Sequence, residues 1–501
     1  MHPSNSTAST RIFKNFIDGC DAAAETEHRF VSINPTTGIE WGTFVNSSAR
    51  EVDLAVQAAH RAFSEGAWHR MSPTRRGRLL MRWGEKIAEN ADTIAAIETQ
   101  QNGKLLSEMR AQALAAQEWL YYFGGMADKV EGKVIPLDRT SVFNYTLHEP
   151  LGVVAVIVPW NSPTFITMMA ACPALAAGNT IVIKPSEVTS ASAFELARLA
   201  IEAGIPPGVI NVVTGLRETG EALVDHPLVR KINFTGSDTG GRAIASRAGK
   251  RLVDSVLELG GKSANIVFED ADLDRAEAGV LSGIFAAAGQ TCVAGSRVFV
   301  QASIYDQLVE RIVGRARRLV VGDPMSVHSQ MGPVATRAQL EKNESMVARA
   351  VQEGGEILVG GGRLAQADFP GGFFFNPTVL HNCSPENFLS QNEVFGPVLT
   401  LTPFRDENEV VALANGTPFG LAAGIWTRGL QRAHTVARRL HAGTVWINTY
   451  RAMAFNSPFG GYKDSGIGRQ NGFDAVRQYL QTKSVWCELS EEIQDPFVLK
   501  T

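Results

Sequence analysis

The stretch FAAAGQTCVAGSR, residues 285–297, sets Cys292 among small residues, with Gly289 three positions before it and Gly295 three after. A buried cysteine ordinarily packs as a small apolar filler. Small neighbours on both sides suggest instead that something approaches the sulfur closely, where a thiolate can act as a nucleophile. A tight loop with an incidental cysteine is the other reading. Glu258 stands in the apolar run SVLELGG, where a charge is costly unless it is exposed or used. Asn161 follows Pro159 in PWNSP, a place where asparagine serves readily as a turn residue. The histidines near Cys292 in the chain, His226 and His328, sit in no recognisable partner motif, which argues against a cysteine hydrolase.

These residues need a scaffold. The chain has 501 residues, too many for one compact core and suited to two or three domains. Hydrophobic residues make up 45% and charged residues 20%, an ordinary soluble composition, and the net charge of −4 leaves no basic excess for nucleic acid. The five cysteines, Cys20, Cys172, Cys292, Cys383 and Cys487, are far apart and form no CxxC pair. Neither a zinc site nor a disulfide framework is suggested, no metal is expected, and a reducing, cytoplasmic setting is. The N-terminal MHPSNSTASTRIFKNF has no signal-peptide layout. Residues 150–183 contain no Asp, Glu, Lys or Arg, yet Pro159, Asn161, Pro163, Pro173 and Asn179 interrupt them. They are expected to form a strand, a loop, a helix and a second strand rather than a membrane span.

The segment SPTRRGRLLMRWGEKIAEN, residues 72–90, has a cap and a first-turn proline in Ser72–Pro73, and Leu79, Leu80, Trp83 and Ile87 at helical spacing. Short β-branched runs follow: GVVAVIV (152–158), TIVI (180–183), VINVV (209–213), KINF (231–234) and ANIVF (264–268). Helical stretches such as SASAFELARLAIEAG (190–204) separate them, which predicts a parallel sheet covered on both faces. Such sheets bind ligands beyond the carboxyl ends of their strands. A second β/α block runs from about Glu258 to Phe455, with glycine-punctuated surface chain between Gly354 and Gly372. KVIPLDRTSVFNYTLHEP (133–150) and QYLQTKSVWCELS (478–490) read as β-rich arms suited to subunit contacts.

The loops at the predicted strand ends read PWNSP (159–163), IVIKPSE (181–187), FTGSDTGG (234–241), LELGGKSANIVF (257–268), EVFGPV (393–398) and PFGGYKDSGIGR (458–469). In this order and spacing they resemble the NAD(P)-dependent aldehyde dehydrogenase superfamily, in its hydrolytic, non-acylating branch, over about residues 12–489. The resemblance implies an α/β, aldehyde dehydrogenase-like fold. A variant Rossmann cofactor domain would span residues 1–130 and 149–258, and an α/β catalytic domain residues 259–460. A small β oligomerisation arm and C-terminal tail would take 131–148 and 461–501, serving a homodimer or homotetramer.

The chemistry agrees with that resemblance. An aldehyde has no hydride leaving group until a nucleophile adds; a thiolate supplies one, and the adduct can pass hydride to a nicotinamide. A thiol of pKa about 8.5 is little ionised at neutral pH, so the site is expected to favour the thiolate. By resemblance Cys292 is the nucleophile, Asn161 and the Cys292 N–H hold the oxyanion, and Glu258 activates water against the thioester. Trp160, Lys184, Glu187, Gly236, Ser237, Gly241, Leu259, Glu393 and Phe395 match the family's cofactor contacts. There is no GxGxxG; GSDTGG (236–241), opening a helix to about Gly249, takes the pyrophosphate. Glu187 would accept from ribose hydroxyls and repel a 2′-phosphate, which favours NAD over NADP.

The chain departs from the family at the substrate side. The Trp-Lys pair of many members is Met169 and Ala170 here, so that lysine is absent. The aromatic after the oxyanion asparagine is Ser162, and the substrate-loop aromatic falls at Met453. Met169 and Met453, with Phe455, would give an adaptable apolar wall. Arg451 in the same loop would hold a substrate carboxylate or else face solvent. The rival readings are a coenzyme-A-acylating semialdehyde dehydrogenase and a binding protein on a retired dehydrogenase scaffold. The partner is a small-molecule aldehyde, with neither nucleic acid nor membrane expected.

Overall fold

The structure, a computed structural model, describes residues 11–23, 26–492 and Phe497. The reading of the first ten residues as lacking a signal layout lies outside the described residues.

Five strands form the parallel centre of an eight-stranded sheet, in the order Asp254–Glu258, Val229–Thr235, Val153–Ile157, Thr180–Lys184, Ile210–Val212. Four of them are the β-branched runs of the first block. Gly466–Ile467 closes one edge antiparallel to Asp254–Glu258, and Phe16–Ile17 pairs antiparallel with Ile210–Val212 at the other side. Val153–Ile157 and Thr180–Lys184 are buried throughout, as strands covered on both faces must be. Between them runs the helix Pro163–Ala177, so the uncharged stretch is strand, loop, helix and strand. Its Pro173 lies inside the helix, and Gly178 ends it in a left-handed conformation.

The fifth run, Ala264–Val267, belongs to a second sheet. Six parallel strands there follow the order Thr378–His381, Val398–Phe404, Arg297–Gln301, Ala264–Val267, Ala422–Trp426, Thr444–Ile447. Glu356–Val359 joins antiparallel at one edge, so the glycine-punctuated excursion contributes a strand. A third sheet pairs Leu480–Glu488 with Val142–Pro150 over nine residue pairs and adds Val134–Ile135. Both β-rich arms therefore meet in one ribbon.

The helix Pro73–Glu89 starts as its sequence predicts, with the Ser72 hydroxyl accepting from the Arg75 N–H and Pro73 in the first turn. Leu80, Trp83 and Ile87 are fully buried, and each such side chain contributes about 1.5–3 kcal/mol. The Trp83 indole donates to the Leu196 carbonyl at 2.9 Å, fastening this helix to the helix Ala191–Glu202. Two further helices, Ala91–Asn102 and Leu106–Met126, bring the turn at Gly103 against the loop after Val153–Ile157. None of the helices among the described residues is long and apolar enough to cross a membrane.

Candidate active site

The strand Asp254–Glu258 ends at Glu258, whose carbonyl accepts from the Gly236 N–H at 3.0 Å. Glu258 is 3% exposed, and neither carboxylate oxygen has a hydrogen-bond partner among the described residues. A buried, unpartnered carboxylate is strongly disfavoured as the anion. Burial pushes Glu258 well above the usual carboxylate range, against the pull of Arg469. Gly460 makes room for it: a Cβ there would stand 2.9 Å from Oε1.

Cys292 follows the turn Ala286–Gly289, where Ala287 and Ala288 adopt left-handed φ values of +56° and +52°. Non-glycine residues rarely do so, and each costs about 1 kcal/mol. Gln290 fixes this turn, its Nε2 donating to the Ala287 carbonyl at 3.2 Å and its Oε1 accepting from the Ala335 N–H at 2.8 Å. The small neighbours of Cys292 have a local cause. A Cβ on Gly289 would overlap the Gly396 carbonyl oxygen, and one on Gly295 would stand 2.9 Å from the Tyr450 hydroxyl. Chain packing by itself demands these two glycines. Gly261 serves the cysteine itself, since a Cβ there would lie 2.6 Å from the Cys292 carbonyl oxygen.

The environment of the thiol differs from the expectation that it favours the thiolate. Burial, then the carboxylates of Glu393 and Glu258, push Cys292 up to about 12, while the Val293 and Cys292 N–H groups oppose the shift. Asn161 lies just before the helix Pro163–Ala177, and its Nδ2 donates to the Gln290 carbonyl at 2.9 Å. The amide thus faces the cysteine loop and is no mere turn residue. The hydrolase reading gains nothing: His226 pairs with Asp53 at 3.0 Å, and His328 is exposed.

A cleft of about 520 Å³ lies beyond the strand ends and is lined by Trp160, Lys184, Glu187, Gly236 and Ser237. Ser237 caps the helix Asp238–Lys250 by accepting from the Gly240 N–H, which leaves a positive helix end in the cleft. The Thr235 hydroxyl there is buried without a partner among the described residues. Gly241 lets Leu259 pack on that helix, as a Cβ would stand 2.5 Å from its Cδ2. Glu393 accepts from the Gly261 N–H at 2.9 Å, and burial lifts it to about 7. Phe395 meets Trp160 edge to face at 5.2 Å. Lys342, which no motif marked, lies within electrostatic reach of Glu393. Among the described residues no cluster of His, Cys, Asp or Glu is able to hold a metal.

The substrate-side residues divide. Met169 is buried in the helix Pro163–Ala177, whereas Met453 is exposed. Phe455 belongs to an aromatic cluster: Trp119 meets Phe165 at 4.8 Å and Phe455 at 5.8 Å, and Tyr122 meets Phe455 at 5.1 Å. Trp119 and Tyr122 come from a distant helix with no motif of its own. Arg451 has a left-handed φ of +63°, and its Nη1 donates to the Ser282 carbonyl at 3.1 Å. Ser162 accepts from the buried Lys104 ammonium at 3.1 Å.

The Aldehyde dehydrogenase family matches residues 22–485. A relative from Acinetobacter baylyi, (Z)-2-((N-methylformamido)methylene)-5-hydroxybutyrolactone dehydrogenase, is 40% identical over 97% of this chain and 99% of its own. Aldehyde dehydrogenase family 2 member C4 of Arabidopsis thaliana is 41% identical over 95% of each chain. A solved NAD+ complex of an aldehyde dehydrogenase from Bacillus cereus superposes with a TM-score of 0.93 at 38% identity, covering 96% of this chain and 97% of that one.

Proposed function

Since the chain belongs to the aldehyde dehydrogenase family and is an oxidoreductase acting on aldehydes, we propose that it is an NAD-dependent, hydrolytic enzyme with Cys292 as nucleophile. One observation carries this reading. The Cys292 thiol and a buried Glu258, whose carboxylate has no bonded partner among the described residues, lie within electrostatic reach of each other, and the Glu258 carbonyl accepts from the N–H of Gly236, which lines the cleft.

The cleft residues suit the cofactor. The helix end at Ser237 and the Gly236 turn would take the pyrophosphate, and the partnerless Thr235 hydroxyl lies at the same space. Glu187 would accept from the ribose beside Lys184, while Leu259, Glu393 and Phe395 would bound the nicotinamide half. The NAD+ complex of the Bacillus cereus relative supports NAD. When bound, the dinucleotide supplies the hydride acceptor.

The Cys292 thiolate adds to the aldehyde carbon, and the aldehyde oxygen becomes an oxyanion. Asn161 has two amide N–H groups; one donates to Gln290, and the other would meet the oxyanion together with the Cys292 N–H. Such a donor contributes about 3–4 kcal/mol to the transition state. Hydride loss leaves a thioester on Cys292. Glu258, once ionised, takes a proton from water as the water attacks that thioester, which frees the acid and the thiol. The aromatic cluster of Trp119, Phe165, Tyr122 and Phe455 would wall the acyl group. The ribbon of Val142–Pro150 and Leu480–Glu488 would carry the subunit contact, and five unpaired cysteines suit a reducing compartment.

The test mixes the protein with NAD and short aliphatic, aromatic and carboxylate-bearing aldehydes and follows NADH absorbance. Activity in the wild type and none in Cys292→Ala is expected, as is an acyl adduct trapped on Cys292 in Glu258→Gln. Activity retained by Cys292→Ala would refute the reading. Turnover that required coenzyme A and yielded acyl-CoA would replace hydrolysis by acylation.

A further inference from the structure

A second cavity, of about 290 Å³, shares no lining residue with the cofactor cleft. Phe63, Trp68, His69, Arg76, His148 and Leu480 line it. Arg76 lies in the first turn of the helix Pro73–Glu89 and reaches the last turn of the helix Pro163–Ala177, where its Nε donates to the Ala176 carbonyl at 3.2 Å. The guanidinium lies against Gly178, where a Cβ would stand 3.3 Å from both Cζ and Nη1. Trp68 backs it, with the ring centroid 5.8 Å from Cζ, and the Trp68 indole donates to the Gly178 and Asn179 carbonyls at 3.2 and 3.1 Å.

This packing uses one edge of the guanidinium. Among the described residues Nη1 and Nη2 have no hydrogen-bond partner, and no carboxylate lies within ion-pair distance of them. Burial lowers Arg76 to about 10 with no carboxylate opposing the shift, so the group is a cation at neutral pH. A cation drawn out of water without a counter-ion is costly. Asp128, the acid at the cavity, is engaged by the Lys129 ammonium at 2.6 Å and the Thr74 hydroxyl at 3.2 Å. His148 adds a polar edge: its Nδ1 pairs with the Thr482 hydroxyl at 3.1 Å, and its Nε2 has no partner among the described residues. Phe63 and Leu480 supply apolar wall beside these groups.

We propose that this cavity is a second binding site, for a small carboxylate with an apolar body: the Nη1–Nη2 edge of Arg76 takes the carboxylate, and Phe63 and Leu480 face the body. A guanidinium edge presents two parallel donors that match the two carboxylate oxygens, which an ammonium group does not. The site stands apart from the Cys292 chemistry and does not depend on it. Asn161 lies just before the helix Pro163–Ala177 and Arg76 touches its last turn, so the 15 residues of that helix separate the two places by about 22 Å.

The test titrates benzoate, and benzamide as its neutral isostere, into wild type and Arg76→Lys by isothermal titration calorimetry. Benzoate is expected to bind wild type at a site that benzamide does not fill. Arg76→Lys keeps the charge and loses the fork, and is expected to weaken that binding about tenfold. Benzoate held at the substrate side, near Phe455, would be insensitive to this substitution. Benzoate binding that is absent from wild type, or equal in wild type and Arg76→Lys, overturns the proposal and leaves Arg76 as a cap on the helix Pro163–Ala177 alone. Should Arg76→Lys fail to fold, wild-type crystals soaked in 4-bromobenzoate decide between the two. Anomalous bromine signal in the cavity beside Arg76 is then expected, and its absence there overturns the proposal equally.

Discussion

Glu258 and Glu187 are both glutamates at or just past strand ends of one sheet, yet their surroundings assign them opposite behaviour. Glu258 is buried without partners among the described residues, whereas Glu187 is exposed at the rim of the cleft with the Ser186 hydroxyl 3.3 Å away. Because the Glu258 pKa is raised, the base form grows as pH rises. The hydrolytic rate is expected to climb with pH in the wild type, over a range above that of an ordinary carboxylate. In Glu258→Gln that limb should vanish from the pH–kcat profile. The raised pKa also carries a stability consequence. A carboxyl group of this kind destabilises the fold progressively as pH rises from its unfolded pKa of about 4.3 to its folded one, by about 1.4 kcal/mol for each pH unit between them. Glu258→Gln is therefore expected to melt higher than wild type at alkaline pH in calorimetry. For Glu187→Gln, removal of the negative charge should raise the kcat/KM ratio of NADP to NAD by about tenfold, measured with one aldehyde.

The turn Ala286–Gly289 is the element that aims Cys292. It stores two left-handed alanines and a glycine with a φ of +71°, and Gln290 holds it from both ends of its amide. Strain of this kind persists where the surroundings over-determine it. Gly289→Ala would press a methyl group into the Gly396 carbonyl and strain the backbone as well. A loss of about 2–3 kcal/mol in denaturant unfolding is expected, with a fall in kcat, since the cysteine loop must shift. The helix Pro73–Glu89 shows the contrasting case. Its cap, first-turn proline and apolar spacing all agree, and none of its residues takes a positive φ.

At the scale of the molecule, the ribbon of Val142–Pro150 and Leu480–Glu488 stands out for its apolar surface. Phe143, Leu147, Trp486 and Leu489 are all exposed on it or at its end, with Trp486 at 63%. By the pairing register Phe143 and Leu147 lie on one face of the ribbon and Trp486, opposite Asn144, on the other, so apolar side chains stand exposed on both faces, as on a surface that associates. On the proposed subunit contact, Trp486→Lys is expected to lower the mass of the protein relative to wild type, read by light scattering after size-exclusion chromatography. An unchanged mass would remove the ribbon from the subunit contact.

Local pattern along the chain accounts for much of this architecture without any coordinates. β-branched runs such as GVVAVIV form strands because their side chains suit a sheet buried on both faces, and Ser72–Pro73 starts a helix because cap and ring geometry act within one turn. The loops that carry Cys292, Glu258 and Asn161 can be read from the sequence because their order and spacing are properties of the chain. Contacts between distant segments govern the remainder, and no local pattern encodes them. Gly289 and Gly295 are small because Gly396 and Tyr450 crowd them. Met169 is buried and Met453 exposed, and Trp119 meets Phe455 across more than three hundred residues. Lys104 meets Ser162 only because a glycine turn packs against the Asn161 loop, a contact to which no spacing in the sequence points.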